Sequence, residues 1–194
     1  MTHRFFVQLH RCVGCGSCVM ACRLENGWPS GAGWRRVLPL NLARRAGGPT
    51  YHLSLACHHC ELPACLRACP SGAYEKRPDG IVAHREEVCI GCRYCEMACP
   101  FGAPQYDETK RIVRKCDLCA HRVDEGRLPA CVEACPTGAL SITDTPAAED
   151  RESVPGFADI GGCRPRTRFR PPAGARRHML FAALEERLSK SRAE

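Results

Sequence analysis

The chain has 194 residues, a formal net charge of +7, an aromatic content of 6% and 17 cysteines. That length bounds it to one large or two small domains, and so few aromatic side chains leave little apolar area for a self-sufficient core. No stretch is long and apolar enough to span a bilayer. There is also no G-x-x-x-x-G-K-[ST] run, strand-linked G-x-G-x-x-G or nucleophile elbow, so no substrate chemistry of its own is indicated.

Residues 4–9 read as an opening strand, and the run Cys12-x2-Cys15-x2-Cys18-x3-Cys22 follows. A short helix over 19–25 should stop at Gly27. Residues 28–56 form an insert carrying Trp28, Trp34 and the pairs Arg35-Arg36 and Arg44-Arg45. Its strand-like stretch at 36–40 is expected to cover a metal site from water or to dock a partner. The second run, Cys57-x2-Cys60-x4-Cys65-x3-Cys69, includes His58 and His59. Residues 73–76, the turn Arg77-Pro78-Asp79-Gly80 and residues 81–84 then predict a hairpin. The third run is Cys89-x2-Cys92-x2-Cys95-x3-Cys99 and the fourth Cys116-x2-Cys119-x11-Cys131-x3-Cys135. A helix over 119–125 should stop at Gly126, and a strand is expected over 139–143. From 145 to 174 the composition is rich in Pro, Arg and Gly. Arg164, Arg166, Arg168 and Arg170 alternate there, which suggests a solvated arm or a segment that docks on an acidic partner or anionic lipid. Cys163 stands apart as a small buried or surface thiol. Leu180, Leu184 and Leu188 predict an amphipathic terminal helix.

Sixteen cysteines thus form four quartets, each closed by x3-Cys, and Pro70, Pro100 and Pro136 follow three of the closing residues. This is the ligand run of bacterial ferredoxins, repeated. Two-residue gaps let a loop wrap a cubane with three thiolates, while the fourth Cys leaves on a helix and ligates another cluster, so quartets work in pairs. Gly14, Gly16 and Gly91 suit such tight loops. The neighbouring second and third quartets pair with each other, leaving the first and fourth to pair across the chain. The expected architecture is α+β. One ferredoxin-like two-cluster module (57–111) is inserted in another (1–27 plus 112–144), and 145–194 is an extension.

A disulfide scaffold is disfavoured by the regular loop spacing and by the lack of an apolar leader, and zinc has no use for a third cysteine followed by x3-Cys. His58 and His59 are therefore read as hydrogen-bonding or surface side chains. Four oxidised clusters with their thiolates add about −8, which leaves the loaded protein near −1 and makes nucleic acid a remote partner. Arg93, Lys115 and Arg11 adjoin ligands and are candidates to tune reduction potentials, the alternative being plain surface charges. Metal should supply much of the folding energy, so the metal-free protein is expected to be largely unfolded.

The run from Cys89 to Lys110, Cys-Ile-Gly-Cys-Arg-Tyr-Cys-Glu-Met-Ala-Cys-Pro-Phe-Gly-Ala-Pro-Gln-Tyr-Asp-Glu-Thr-Lys, resembles the iron–sulfur electron-transfer (B) subunit of dimethyl sulfoxide reductase and its relatives. The order of the quartets and the wide gap after Cys119 match as well, over about residues 4 to 144. The resemblance implies a non-catalytic subunit of an anaerobic respiratory oxidoreductase. Such a subunit carries four [4Fe–4S] clusters and works between a molybdopterin catalytic subunit and an integral membrane quinone-binding anchor, with no small-molecule substrate of its own. Carried over by position, Cys12, Cys15, Cys18 and Cys135 hold the cluster nearest the catalytic subunit, and Cys22, Cys116, Cys119 and Cys131 the next. Cys69, Cys89, Cys92 and Cys95 would come third. Cys57, Cys60, Cys65 and Cys99 would come last, nearest the anchor. Some relatives replace the residue at the position of Cys92, which here is present, so four complete clusters are expected. A free-standing polyferredoxin shuttle, or the matching subunit of a formate dehydrogenase or hydrogenase, is the alternative. The protein is expected on the bacterial cytoplasmic membrane as part of a complex. The periplasmic face, reached by export with a partner, is favoured over the cytoplasmic face.

Overall fold

A computed structural model describes residues 2–28, 33–41, 50–144, 154–155 and 162–172. The first strand, β1 (Arg4–Gln8), alternates in burial and turns Phe5 and Val7 inward. It ends one residue earlier than expected, because Leu9 opens a 3-10 turn through Arg11 that delivers the backbone to Cys12. Helix α1 (Ser17–Asn26) starts two residues before the expected position, takes in both Cys18 and Cys22, and stops at Gly27.

The insert forms a ribbon in which β2 (Arg36–Asn41) pairs antiparallel with β3 (Thr50–Leu55), from Arg36 opposite Leu55 to Asn41 opposite Thr50. Trp28 and Trp34 meet edge to face at 5.7 Å, with the Arg114 guanidinium 4.9 Å from one ring and 5.3 Å from the other. Cation–π attraction and apolar burial thus pin the start of the insert to the strand that leads into the fourth quartet.

Helix α2 (Ala64–Arg67) carries Cys65, and the expected hairpin forms as β4 (Tyr74–Lys76) and β5 (Val82–His84). Lys76 ties this hairpin to the second cysteine loop, its Nζ donating to the carbonyls of His59 at 3.1 Å and Cys60 at 2.7 Å. Helix α3 (Tyr94–Ala98) carries Cys95 and packs on α2. A second hairpin, β6 (Gln105–Asp107) with β7 (Ile112–Arg114), straddles position 111, so the join expected between two modules lies within a paired ribbon. Helices α4 (Ala120–Asp124) and α5 (Ala130–Glu133) follow, α5 packing on α1, and then β8 (Leu140–Thr143).

Around β1 lies a sheet in the order β8, β1, β10 (Arg168–Arg170), β9 (Val154–Pro155). β8 is antiparallel to β1, with Val7 opposite Leu140, and β10 is parallel to it, with Val7 opposite Phe169. This corrects the expectation of a solvated arm: Phe169 is fully buried, as are Cys163, Arg166 and Thr167. Only Arg168 and Arg170 of the alternating arginines lie on this strand, and Phe169 between them is the inward residue that the charges around it obscure. Residues 163–166 also bond to the second cysteine loop, Leu62 N–H to the Cys163 carbonyl at 3.0 Å and Arg166 N–H to the His58 carbonyl at 3.1 Å. Residues 180–188 lie outside the described residues. Among those described, no helix is long and apolar enough to cross a membrane.

Replacing Phe169 by Ala is expected to cost about 3–5 kcal/mol. Denaturant unfolding of the anaerobically purified, metal-loaded protein measures this, and an unmoved midpoint would place residues 168–170 outside the core.

Candidate functional site

Helix α1 presents two cysteines on successive turns. Cys18 and Cys22 lie one turn apart on α1, and a four-residue step advances a helix by about 6 Å, enough for one helix to serve two neighbouring centres. Cys12, Cys15 and Cys18 line a cavity together with Cys135, the closing residue of the fourth run. Cys57, Cys60 and Cys65 line a second cavity together with Cys99, the closing residue of the third. Electrostatic repulsion groups the others: Cys116 and Cys119 are each acted on by Cys22 and Cys131. Cys95 interacts with Cys69 and Cys89, while Cys92 is exposed on the same loop. Every sequence-predicted sulfur except Cys92 therefore has an electrostatic or cavity neighbour from its expected set. Among the described residues no His, Cys, Asp or Glu group is arranged to hold a single metal ion. Four sulfurs spread around a cavity suit a cubane better than zinc.

The order of the sets differs from the one the resemblance implied. Cys116 is acted on by Cys57, and His59 lies between them: its N–H meets Cys57 Sγ at 3.4 Å, and its Nε2 is 3.9 Å from Cys116 Sγ. Cys57, Cys60 and Cys99 share one apolar core with Cys18, Cys22, Cys116, Cys131 and Cys135, whereas Cys65 packs in a separate cluster with Cys69, Cys89, Cys95, Tyr74 and Val113, so the Cys57 set lies between the two. The Cys57 set is thus next to the Cys116 set, and the Cys89 set is terminal.

Burial pushes the thiol of Cys22 up to about 11 and those of Cys65 and Cys119 to about 12, and it raises Cys60 and Cys116 as well. Such groups become thiolates at neutral pH only when a metal displaces their protons. Two of the four closing cysteines are different, whereas Cys22 and Cys99 are raised by burial like the rest. Burial also opposes ionisation at Cys69 and Cys135, but local donors outweigh it and lower both. Ser71 Oγ lies 3.5 Å from Cys69 Sγ and Ala73 N–H donates to it at 3.3 Å, while Thr137 Oγ1 is 3.8 Å from Cys135 Sγ. The signal was present in the sequence as Cys-Pro-[Ser/Thr]-Gly-Ala at 69–73 and 135–139.

The three expected tuners separate. Lys115 is buried, donates to the carbonyls of Val82 and Cys116, and favours the thiolate of Cys65. Arg93 is exposed and paired with Glu96 at 2.5 Å, and Arg11 is also exposed. The sequence pointed to Arg35 only as part of the insert, yet it is buried among the ligands. His59 is fully buried and, with Val82 N–H donating to Nδ1 at 3.1 Å, carries its proton on Nε2, toward Cys116. Burial, followed by the charges of Lys115 and Lys76, holds His59 well below its ordinary pKa and therefore neutral. His58 packs edge to face on Phe101 at 4.5 Å.

A family model described as 4Fe-4S dicluster domain matches residues 49–145, and one described as 4Fe-4S binding domain matches residues 9–27. The sequence is 44% identical over 181 residues to the B polypeptide of the anaerobic dimethyl sulfoxide reductase of Escherichia coli (strain K12), covering 87% of this protein and 84% of that one. It is 35% identical to the corresponding (B) polypeptide of the sulfite dehydrogenase of Allochromatium vinosum, over 76% of this protein and 71% of its relative. Against the formate dehydrogenase iron-sulfur subunit of Wolinella succinogenes the identity is 36%, over 73% and 81% of the two proteins.

Two glycines separate backbone strain from collision. Gly16 (φ +76°) has open space where a Cβ would point, whereas a Cβ on Gly91 (φ +68°) would strike the Arg111 carbonyl oxygen. Gly16→Ala should cost only about 1–2 kcal/mol. Gly91→Ala should cost more and release iron from the third run. Iron analysis and unfolding midpoints of the two variants check this, and equal effects would rule out the collision.

Proposed function

Since this protein belongs to the family of iron–sulfur subunits that includes those of the dimethyl sulfoxide reductases, we propose that it relays electrons through four [4Fe–4S] clusters. The relay runs between a molybdopterin catalytic subunit and a quinone-reactive membrane anchor. The ligand sets are Cys12, Cys15, Cys18 with Cys135; Cys116, Cys119, Cys131 with Cys22; Cys57, Cys60, Cys65 with Cys99; and Cys89, Cys92, Cys95 with Cys69. The observation that carries this is the pair of cavities in which three cysteines of one run face the closing cysteine of another. When bound, a [4Fe–4S] cluster supplies reversible one-electron transfer. The protein's own residues hold the sulfurs, donate hydrogen bonds to them and keep water from the middle of the row. The two nested ferredoxin-like modules fit the same reading: β1 with β8 and α1 with α5 frame the outer one, and β4–β5 with α2 and α3 the inner one.

The ends of the row support two docking faces. Val13, Met20 and Leu24 are 63%, 53% and 78% exposed beside the Cys12 set, and Ile90, Tyr94 and Met97 are 67%, 54% and 75% exposed beside the Cys89 set. Exposed apolar groups of this kind mark protein contacts. With the Cys12 set nearest the catalytic subunit, the Cys89 set faces the anchor, and the protein sits peripherally on the membrane as part of the complex.

Anaerobically purified protein should contain about sixteen iron atoms. Cys135→Ser should perturb the same electron paramagnetic resonance signal as Cys12→Ser, and Cys22→Ser the same signal as Cys116→Ser. If Cys12→Ser and Cys22→Ser struck one signal, the exchange of closing ligands would be wrong. The double variant Ile90→Glu, Met97→Glu should leave iron unchanged and release the protein from the membrane fraction; retention there would move the anchor face elsewhere.

A further inference from the structure

Arg35 precedes β2 and is 3% exposed. Its guanidinium stacks 4.3 Å from the Phe5 ring, and Nη1 donates to Ser54 Oγ at 2.9 Å. Ser54 Oγ in turn lies 3.4 Å from Cys18 Sγ. Nε and Nη2 are fully buried and have no hydrogen-bond partner in the protein. Among the described residues no Asp or Glu forms an ion pair with this side chain. A buried cation with idle donors costs several kcal/mol unless it is compensated. Its electrostatic partners are Cys131, Cys116, Cys18 and Cys22, and the Arg35 main-chain N–H also donates to Cys22. Cys18 belongs to the first ligand set and the other three to the second. Lys115, the other buried cation among the ligands, spends its donors on main-chain carbonyls instead.

We propose that Arg35 is a shared positioning residue, whose guanidinium donates its idle N–H groups to sulfur of the first two clusters and serves as their common counter-charge. This rests on the proposal that those two sets hold clusters. Reduction adds negative charge, which a fixed cation and hydrogen bonds to sulfur favour, so Arg35 raises both potentials together. A lysine in its place keeps the charge but not the planar fork of donors. Ser54 extends the effect toward Cys18 alone.

Redox-titrated electron paramagnetic resonance of the intact complex, with iron analysis beside it, tests the proposal. Arg35→Gln should lower the midpoints of both the first and second clusters, by about tenfold in the one-electron equilibrium or about 59 mV. Arg35→Lys should restore part of the shift, and Ser54→Ala should lower the first cluster only. Unmoved midpoints in Arg35→Gln with full iron content, or a shift confined to one cluster, overturn the shared role. If Arg35→Gln loses iron, Arg35→Lys and Ser54→Ala decide: a partial fall of both midpoints in the first and of one in the second supports the proposal, and no fall in either overturns it. Iron far below sixteen in the unaltered protein would instead sink the four-cluster reading itself.

Discussion

A thiol as deeply buried as Cys116, surrounded by Cys22, Cys57 and Cys131, resists losing its proton both because water is absent and because each neighbour would carry the same charge. Bonding to a metal removes both objections together. The rest of the fold depends on that exchange of protons for iron, because apart from the sheet around β1 the structure is made of two-stranded ribbons and helices of four to ten residues. Isolated pieces of that size are marginal in water. On the proposed ligand sets, what closes them into one body is that each set draws on two separate stretches of backbone. β1 with β8 and α1 with α5 are held where the sets need them.

The groups between the sets are not alike. Between the first two stands a permanent cation, Arg35, supported by Phe5 and Ser54. Between the second and the Cys57 set stands His59, neutral, with its proton aimed at Cys116 and its ring fixed by the Val82 N–H. Both place donors toward sulfur, but only Arg35 adds charge. Neighbouring positions in the row are therefore given different electrostatic surroundings, which is how a protein grades the potentials of chemically identical cofactors.

The cysteine grammar made the centres legible, because ligand spacing is a local constraint that survives whatever the backbone does elsewhere. The hairpin at residues 74–84, α1 with its stop at Gly27 and the strands β1, β2 and β8 were likewise visible from short-range pattern. β3 was not: Thr50–Leu55 has a His and a Ser among its apolar residues and declares itself only through its register with β2. β10 was obscured because three residues with one Phe give no period. The order of the sets and the position of Arg35 are properties of packing, and spacing carries no information about which loop lies beside which. The closing motif shared by 69–73 and 135–139 lay open in the sequence, its hydroxyl meaningful only once seen beside sulfur.

The parallel pairing of β10 with β1 bears on how the molecule is made. The opening cysteine run is the first of the four to leave the ribosome, but the sulfur proposed to complete its set, Cys135, emerges only as the last residue of the fourth run, and Phe169 later still. Until then the N-terminal sheet lacks both of the neighbours that cover Phe5 and Val7. On the proposed ligand sets, the outer module can take up its full iron only once Cys135 has emerged, and β10, the last of the described strands along the sequence, pairs with β1 later still.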